Sequence, residues 1–118
     1  MPELSKTLAA GRVGLGLGLL ASPVAAGKAL GMDLAASPQA GLWARWFATR
    51  EIALGAAVLA GGPGARSFAL KAGIGVDAGD ALAAILEKNA GRMPAPQALL
   101  GAAVALGAVG IGVLSLSE

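Results

Sequence analysis

The amino-acid sequence predicts an all-α fold, a single antiparallel bundle of four transmembrane helices. The prediction rests on a hydrophobic share of 56%, a mean hydropathy of +0.72 and long apolar segments separated by short polar connections. Charged residues make up only 14% of the 118 positions, against roughly 25% in a soluble domain. A soluble domain of this length would need a polar exterior that this composition cannot supply. We therefore expect a multi-pass protein of the cell membrane, with the lipid bilayer as its surroundings.

A helix that crosses the bilayer core needs about 20 mostly apolar residues. The segments that meet this requirement are residues 8–30, 42–61, 67–86 and 96–116. The fourth is the clearest, since residues 93–117 contain no charged side chain. The first contains Pro23, where we expect a kink. Because Glu3 precedes the first basic residues and the apolar run outlasts that of a signal peptide, we expect a retained span.

The second and third segments contain charged residues, each of which costs about 2.5–3.5 kcal/mol at the centre of a membrane helix. We expect these two spans only inside a bundle. The connecting residues 31–41, 61–65 and 87–96 concentrate Gly, Pro, Asn and charge, which is typical of helix ends and turns. Short connections make sequential helices antiparallel, so residues 1–118 are predicted to form one domain.

Small residues at intervals of four would let helices approach closely in lipid, where the hydrophobic effect does not draw them together. The predicted contact residues are Ala10, Gly14, Gly18, Ser22 and Ala26 in the first span, Gly75, Gly79 and Ala83 in the third, and the pairs Gly101–Ala105, Ala103–Gly107 and Ala108–Gly112 in the fourth. Each spacing alone is a weak signal, because Ala and Gly are abundant throughout this chain.

Composition also restricts the chemistry. The chain has no Cys or His, which excludes disulfides, thiol nucleophiles, imidazole acid–base catalysis and the usual zinc sites. Ionisable chemistry must come from Asp, Glu, Lys or Arg, and we expect no cofactor. The net charge of +2 is small and spread along the chain, so a nucleic-acid partner is not expected.

Four ionisable residues are predicted to lie at similar depth near the bilayer midplane. Arg50 and Asp77 are nearly the same number of residues from the turn around Gly64, about 20 Å along each helix. Glu51 and Asp80 fall within about one helical turn of that level. Three other basic residues, Arg12, Arg45 and Lys71, lie only a few residues inside their spans, and we expect them to extend toward the lipid headgroups.

Asp77 and Asp80 are three residues apart and therefore share one helix face, which we expect Arg50 to meet across the interior. Glu51 would then turn toward another helix or a cavity, since neighbouring residues point about 100° apart. One guanidinium and three carboxylates leave an excess of negative charge. We expect Arg50 to pair with one aspartate, and at least one other carboxyl to be protonated or to hold a cation.

Several functions fit such a site. Arg50, Glu51, Asp77 and Asp80 could bind or move a proton or a lipophilic or cationic small molecule, since ionisable residues inside membranes are usually functional. In a membrane-embedded enzyme, Asp77 and Asp80 would be the catalytic acid and base for isomerisation, hydration or epoxide opening of a lipophilic substrate. A metal site is not expected, because two aspartates alone lack the other oxygen ligands that Mg²⁺ prefers.

Functions without catalysis or ligand binding also fit the sequence. The interhelical Arg–Asp pair could be a structural lock that fixes helix packing, or the chain could be an auxiliary subunit of a larger membrane complex or a homo-oligomer. We expect the aromatic side chains of the second span to lie at the membrane interface, and the alternative is that they line the mouth of a pocket. These residues are Trp43, Trp46 and Phe47.

Three stretches together resemble a known family. GRVGLGLGLL (11–20), RWFATREIALGAAVLAGG (45–62) and VDAGDALAAIL (76–86) are similar to the sequences of a bacterial family of short four-helix integral membrane proteins catalogued as a domain of unknown function. The most specific parts are Arg50 with Glu51 and the pair Asp77 and Asp80. The resemblance implies a four-helix membrane fold, and it implies no activity.

Overall fold

The computed structural model describes residues 3–37 and 39–118, and over these ranges the chain forms helices and no strand. The five α-helices are α1 (Glu3–Ala21), α2 (Pro23–Ala29), α3 (Ala40–Ala60), α4 (Pro63–Asn89) and α5 (Ala95–Ser115). A single 3₁₀ turn, Leu34–Ala36, lies between α2 and α3. The predicted all-α class is confirmed.

The first predicted span is divided between α1 and α2. The break lies at Ser22, whose backbone has φ −145° and ψ 88°, outside the helical region. Proline disfavours the helical conformation of the residue before it and supplies no N–H of its own, so Pro23 accounts for the break. The Ser22 carbonyl accepts a 3.0 Å hydrogen bond from the Ala26 N–H and so begins α2. The predicted kink at Pro23 is confirmed.

Two left-handed glycines end the helices at the same end of the bundle. Gly31, after α2, has φ +79°, and Gly91, after α4, has φ +74°. In each case the next residue donates back into the helix, Met32 to Gly27 and Arg92 to Glu87. Glycine is the residue that reaches this conformation without steric cost, which is why the helices end there. The predicted connections coincide with these helix ends.

The four long helices form an antiparallel ring in the order α1, α3, α4, α5. α1 packs mainly against α3 and α4 mainly against α5, while α3 with α4 and α1 with α5 complete the ring more loosely. At the end of the ring where α1 begins, the Glu118 carboxylate accepts hydrogen bonds from the backbone N–H groups of Leu4 and Ser5, both at 3.1 Å. The start of α1 is thereby held beside the end of α5.

Glycines bring α1 and α3 into close contact. A Cβ atom at Gly16 would lie 2.6 Å from Ile52 Cγ1, and a Cβ atom at Gly55 would lie 2.6 Å from the Ala9 carbonyl oxygen. Neither position can accept a larger side chain without moving a helix. Close approach through small residues is therefore present, as predicted.

The predicted contact faces of α1 and α4 are wrong. Gly14, Gly75 and Gly79 have no other atom within 4 Å of where a Cβ would lie, so these faces point outward. The helices are rotated instead so that Arg12 and Asp77 point inward. The small residues three or four positions from them are buried as well, namely Ala9 and Gly16 in α1 and Gly73 and Ala81 in α4. In α5, Gly112 of the predicted contacts is buried, with Ile74 against it.

The exterior carries the large apolar side chains, and the interior carries small and charged ones. Phe68 is 74% exposed, Trp43 65% and Leu82 59%, whereas Arg12, Glu51 and Asp77 are buried. No large side chain among the described residues is completely buried. By length and apolar composition, one described helix, α5, qualifies as a candidate membrane span. The other long helices contain the charged residues that meet inside the bundle.

Candidate functional site: a buried charge network below an apolar cleft

Arg12 of α1 is the centre of the site. Its Nη1 atom donates to Glu51 Oε2 of α3 at 3.0 Å and to Asp77 Oδ1 of α4 at 3.1 Å. Its Nη2 atom donates to Asp77 Oδ2 at 2.5 Å, so the aspartate is bound at both oxygens. Only 8% of the Arg12 side chain is exposed. One guanidinium thus joins three helices through charge-assisted hydrogen bonds.

The sequence-based placement of Arg12 near a headgroup is wrong. The predicted span began at residue 8, whereas α1 begins at Glu3, so Arg12 lies about 13 Å into the helix. At that depth its side chain cannot reach an end of the bundle. Arg45 and Lys71 are exposed, as expected, and the Arg45 Nε atom donates to the Leu20 carbonyl oxygen at 3.0 Å.

Gly73 provides the space in which the Arg12 guanidinium lies. A Cβ atom at Gly73 would be 2.6 Å from Arg12 Nη2, so α4 can approach the guanidinium only where this side chain is absent. Gly73 precedes Asp77 by one helical turn, on the same face of α4. The sequence reasoning missed this residue, although its spacing from Asp77 was a usable signal.

Arg50 of α3 makes the second half of the network. Its Nη2 atom donates to Asp80 Oδ2 at 2.8 Å and lies 3.5 Å from Glu51 Oε1. The guanidinium carbon lies 4.6 Å from the centre of the Phe47 ring, within the range of a cation–π contact. As predicted, Arg50 pairs with one aspartate, and Glu51 turns toward another helix, α1. Asp77 does not meet Arg50, because Arg12 occupies both of its oxygens.

The five side chains alternate in charge in the order Asp77, Arg12, Glu51, Arg50, Asp80, and we call them the charge network. Two guanidiniums face three carboxylates, which leaves one unbalanced negative charge when all are ionised. The expected excess was larger, because Arg12 was not counted. Oxygens of the three carboxylates lie within 4.8 Å of one another, but guanidinium groups already fill much of the space between them.

An apolar cleft of about 630 Å³ opens above the charge network, between α1 on one side and α4 and α5 on the other. Arg12, Glu51, Asp77 and Asp80 are its charged lining residues within the network. Its sides are mainly aliphatic, including Leu8, Leu15, Leu100, Val104 and Ile111. Volumes of about 300–1,000 Å³ with a few converging polar groups are typical of small-molecule sites.

The aromatic residues divide between the cleft and the surface. Phe47 lines the cleft beside Arg50, as the alternative reading of these residues allowed. Trp43 and Trp46 are exposed and form an edge-to-face pair with ring centres 4.8 Å apart. Among the described residues that line the cleft, Phe47 is therefore the one member of this aromatic group.

The rim of the cleft carries a separate ion pair. Glu87, at the end of α4, accepts two hydrogen bonds of 2.9 Å from Arg92, and Glu87 also lines the cleft. The hydrogen bond from Arg92 lowers the pKa of Glu87, and the same contact raises the pKa of Arg92. Both side chains are in contact with solvent, so this pair is open to exchange with other partners.

Comparison of the chain with protein-family models, with curated proteins and with solved structures finds no match. The resemblance to a four-helix membrane family therefore stays a prediction, and function has to be argued from the charge network and the cleft.

Proposed function

We propose that this chain is a multi-pass membrane protein of four spans that binds, and in its native membrane moves, a small molecule in the cleft. The first span comprises α1 and α2, and the others lie within α3, α4 and α5, with the third at residues 67–86. The charge network would hold the polar part of the ligand, and the aliphatic sides of the cleft would hold its apolar part.

The distribution of side chains supports the membrane setting. A water-soluble bundle buries its large apolar residues, whereas this bundle exposes them and buries alanine, glycine and ion pairs. Backbones that approach through small residues and charges that pair inside a bundle are both typical of membrane helices. Arg12, Glu51 and Asp77 account for part of the lower apolar content of α1, α3 and α4, and these three side chains are buried.

The cleft is the observation that carries the functional proposal. A charge network acting only as a structural lock would need no open space, yet four of its five members border a cavity of about 630 Å³. The enzyme alternative is less well supported. Acid–base catalysis by the pair requires both aspartates to reach the substrate, and here Arg12 already donates to both oxygens of Asp77.

Native mass spectrometry of the protein extracted from its own membrane would test the proposal. Ala105 lines the cleft and Ala103 lies on the exposed face of α5, so Ala105→Trp fills the cleft while Ala103→Trp is its matched control. We expect a bound small molecule in the unchanged protein and in Ala103→Trp, and its loss in Ala105→Trp. Equal occupancy in both variants would contradict a ligand in the cleft.

A further inference from the structure

We propose that the ligand of the cleft is a lipophilic amine, an amphiphile with one cationic head group that pairs with Asp80. This inference rests on the proposed function, since it specifies the ligand of the same cleft. It follows from the charge balance, from the hydrogen bonds of each carboxylate and from the lining of the cleft.

The charge network can accept one more positive charge. With all five side chains ionised, the two guanidiniums of the charge network neutralise two of its three carboxylates and leave one negative charge. No Lys side chain is among the residues that line the cleft. A bound monocation would neutralise the network, whereas an anion would double its unbalanced charge.

Asp80 is where the missing cation would bind. Both oxygens of Asp77 accept hydrogen bonds from Arg12, and each oxygen of Glu51 has a guanidinium partner. Asp80 accepts at Oδ2 from Arg50, and no described donor reaches its Oδ1 atom. Its side chain is 33% exposed and borders the cleft. A protonated amine can donate directly to that oxygen without displacing either arginine.

The lining of the cleft indicates the chemistry of the part of the ligand beyond its cationic head group. Beyond the charge network the described lining residues are mostly aliphatic. The ligand therefore has a hydrocarbon body and a compact head with N–H donors. Such a molecule can enter from a lipid leaflet, where amphiphilic amines concentrate.

Three probes with the same hydrocarbon chain separate the contributions of charge and apolar contact. Octylamine is cationic at pH 7, octanol is neutral and octanoate is anionic. Each is titrated by calorimetry into the protein in lipid nanodiscs, with empty nanodiscs subtracted. We expect octylamine to bind at least about tenfold more tightly than octanol, and octanoate more weakly than octanol.

Variants of Asp80 test whether this residue is responsible. Asp80→Asn keeps the shape and makes the network neutral, so the affinity ratio of octylamine to octanol should fall to about one. Asp80→Glu keeps the charge and should keep the preference. Asp33 is an exposed acidic residue outside the cleft, and Asp33→Asn should likewise keep it.

The outcomes distinguish the inference from the proposed function. If octylamine binds no more tightly than octanol in the unchanged protein, or if its preference survives Asp80→Asn, the inference is wrong. If the three probes bind equally and Ala105→Trp removes them all, the cleft binds small molecules without selecting cations. If none of the probes binds more to the protein than to Ala105→Trp, and the native protein carries no ligand, both proposals fail.

Discussion

Arg12 and Asp77 join α1 to α4, two helices that lie diagonally across the ring, through two hydrogen bonds between one guanidinium and one carboxylate. Neighbouring helices in the ring have backbone contacts of their own, but this diagonal pair has few. The ion pair therefore links the two sides of the cleft directly, in addition to the packing of α1 with α5 and of α3 with α4. It also fixes the rotation of both helices, since each must turn its charged residue inward.

Replacing Arg12 by Gln should destabilise the bundle strongly. The change leaves the buried Asp77 and Glu51 carboxylates without their main partner, and loss of one member of a buried ion pair costs about 3–5 kcal/mol. Thermal unfolding in mild detergent measures the effect. Arg45→Gln is the control, because Arg45 is exposed, and it should shift Tm little. Equal shifts for the two variants would show that Arg12 is not a central contact.

Gly73→Ala should destabilise the protein, whereas Gly75→Ala, about half a helical turn away, should not. In Gly73→Ala the new Cβ atom would lie 2.6 Å from Arg12 Nη2, so the guanidinium or α4 must move. Gly75→Ala meets no atom within 4 Å and should be neutral or stabilising by up to about 1 kcal/mol, because alanine favours helix. Unfolding midpoints of the two variants give the comparison. A Gly73→Ala protein as stable as Gly75→Ala would contradict the observed packing.

The proposed four-span topology predicts which loops share a side of the membrane. The chain has no native cysteine, so single cysteines can be labelled without background. Ala36→Cys and Ala90→Cys lie in the connections after α2 and α4, and Gly62→Cys lies between α3 and α4. In sealed vesicles an impermeant maleimide should label positions 36 and 90 from one side and position 62 from the other. Labelling of all three from the same side would exclude this topology.

Acid should weaken the Glu87–Arg92 pair within a definable pH range. The pKa of Glu87 is lowered in the folded state by the hydrogen bond from Arg92, below its ordinary value of 4.5. The pair therefore contributes stability that is complete above about pH 4.5 and is lost as pH falls through the lower folded-state value. Glu87→Gln should reduce the acid dependence of Tm. The control is Glu3→Gln at an exposed position, and an unchanged pH profile in Glu87→Gln would contradict the prediction.

The sequence predicted the helices better than their faces. Apolar length and turn residues located the connections, and Pro23 located the break between α1 and α2, since these are local properties of the chain. The inward faces depend on which charges meet across the bundle, and an error of a few residues in the start of α1 was enough to assign Arg12 to the surface. The pairing of Arg50 with one aspartate and the turn of Glu51 toward another helix were predicted, because neighbouring residues of a helix point about 100° apart.

Stripes of small residues could not identify the contacts, because alanine and glycine at intervals of four occur on more than one face of these helices. Gly14 and Gly75 fit the pattern as well as Gly16 and Gly73 do, yet only the second pair lies against another helix. A cavity beside the charged residues was among the expectations, but its volume could not be predicted, since it depends on the distance between the α1–α3 pair and the α4–α5 pair.

The central claim is that the outward leucines of this bundle contact lipid while ionised residues lie inside it. Spin labels at Leu17, Leu82 and Leu106, exposed positions on α1, α4 and α5, test it directly in vesicles by collision with oxygen and with a water-soluble nickel chelate. We expect oxygen to relax all three labels far more than nickel does, with the reverse at the exposed loop position Asp33. Strong relaxation by nickel at the three helix positions would show that these faces contact water, and it would contradict the claim.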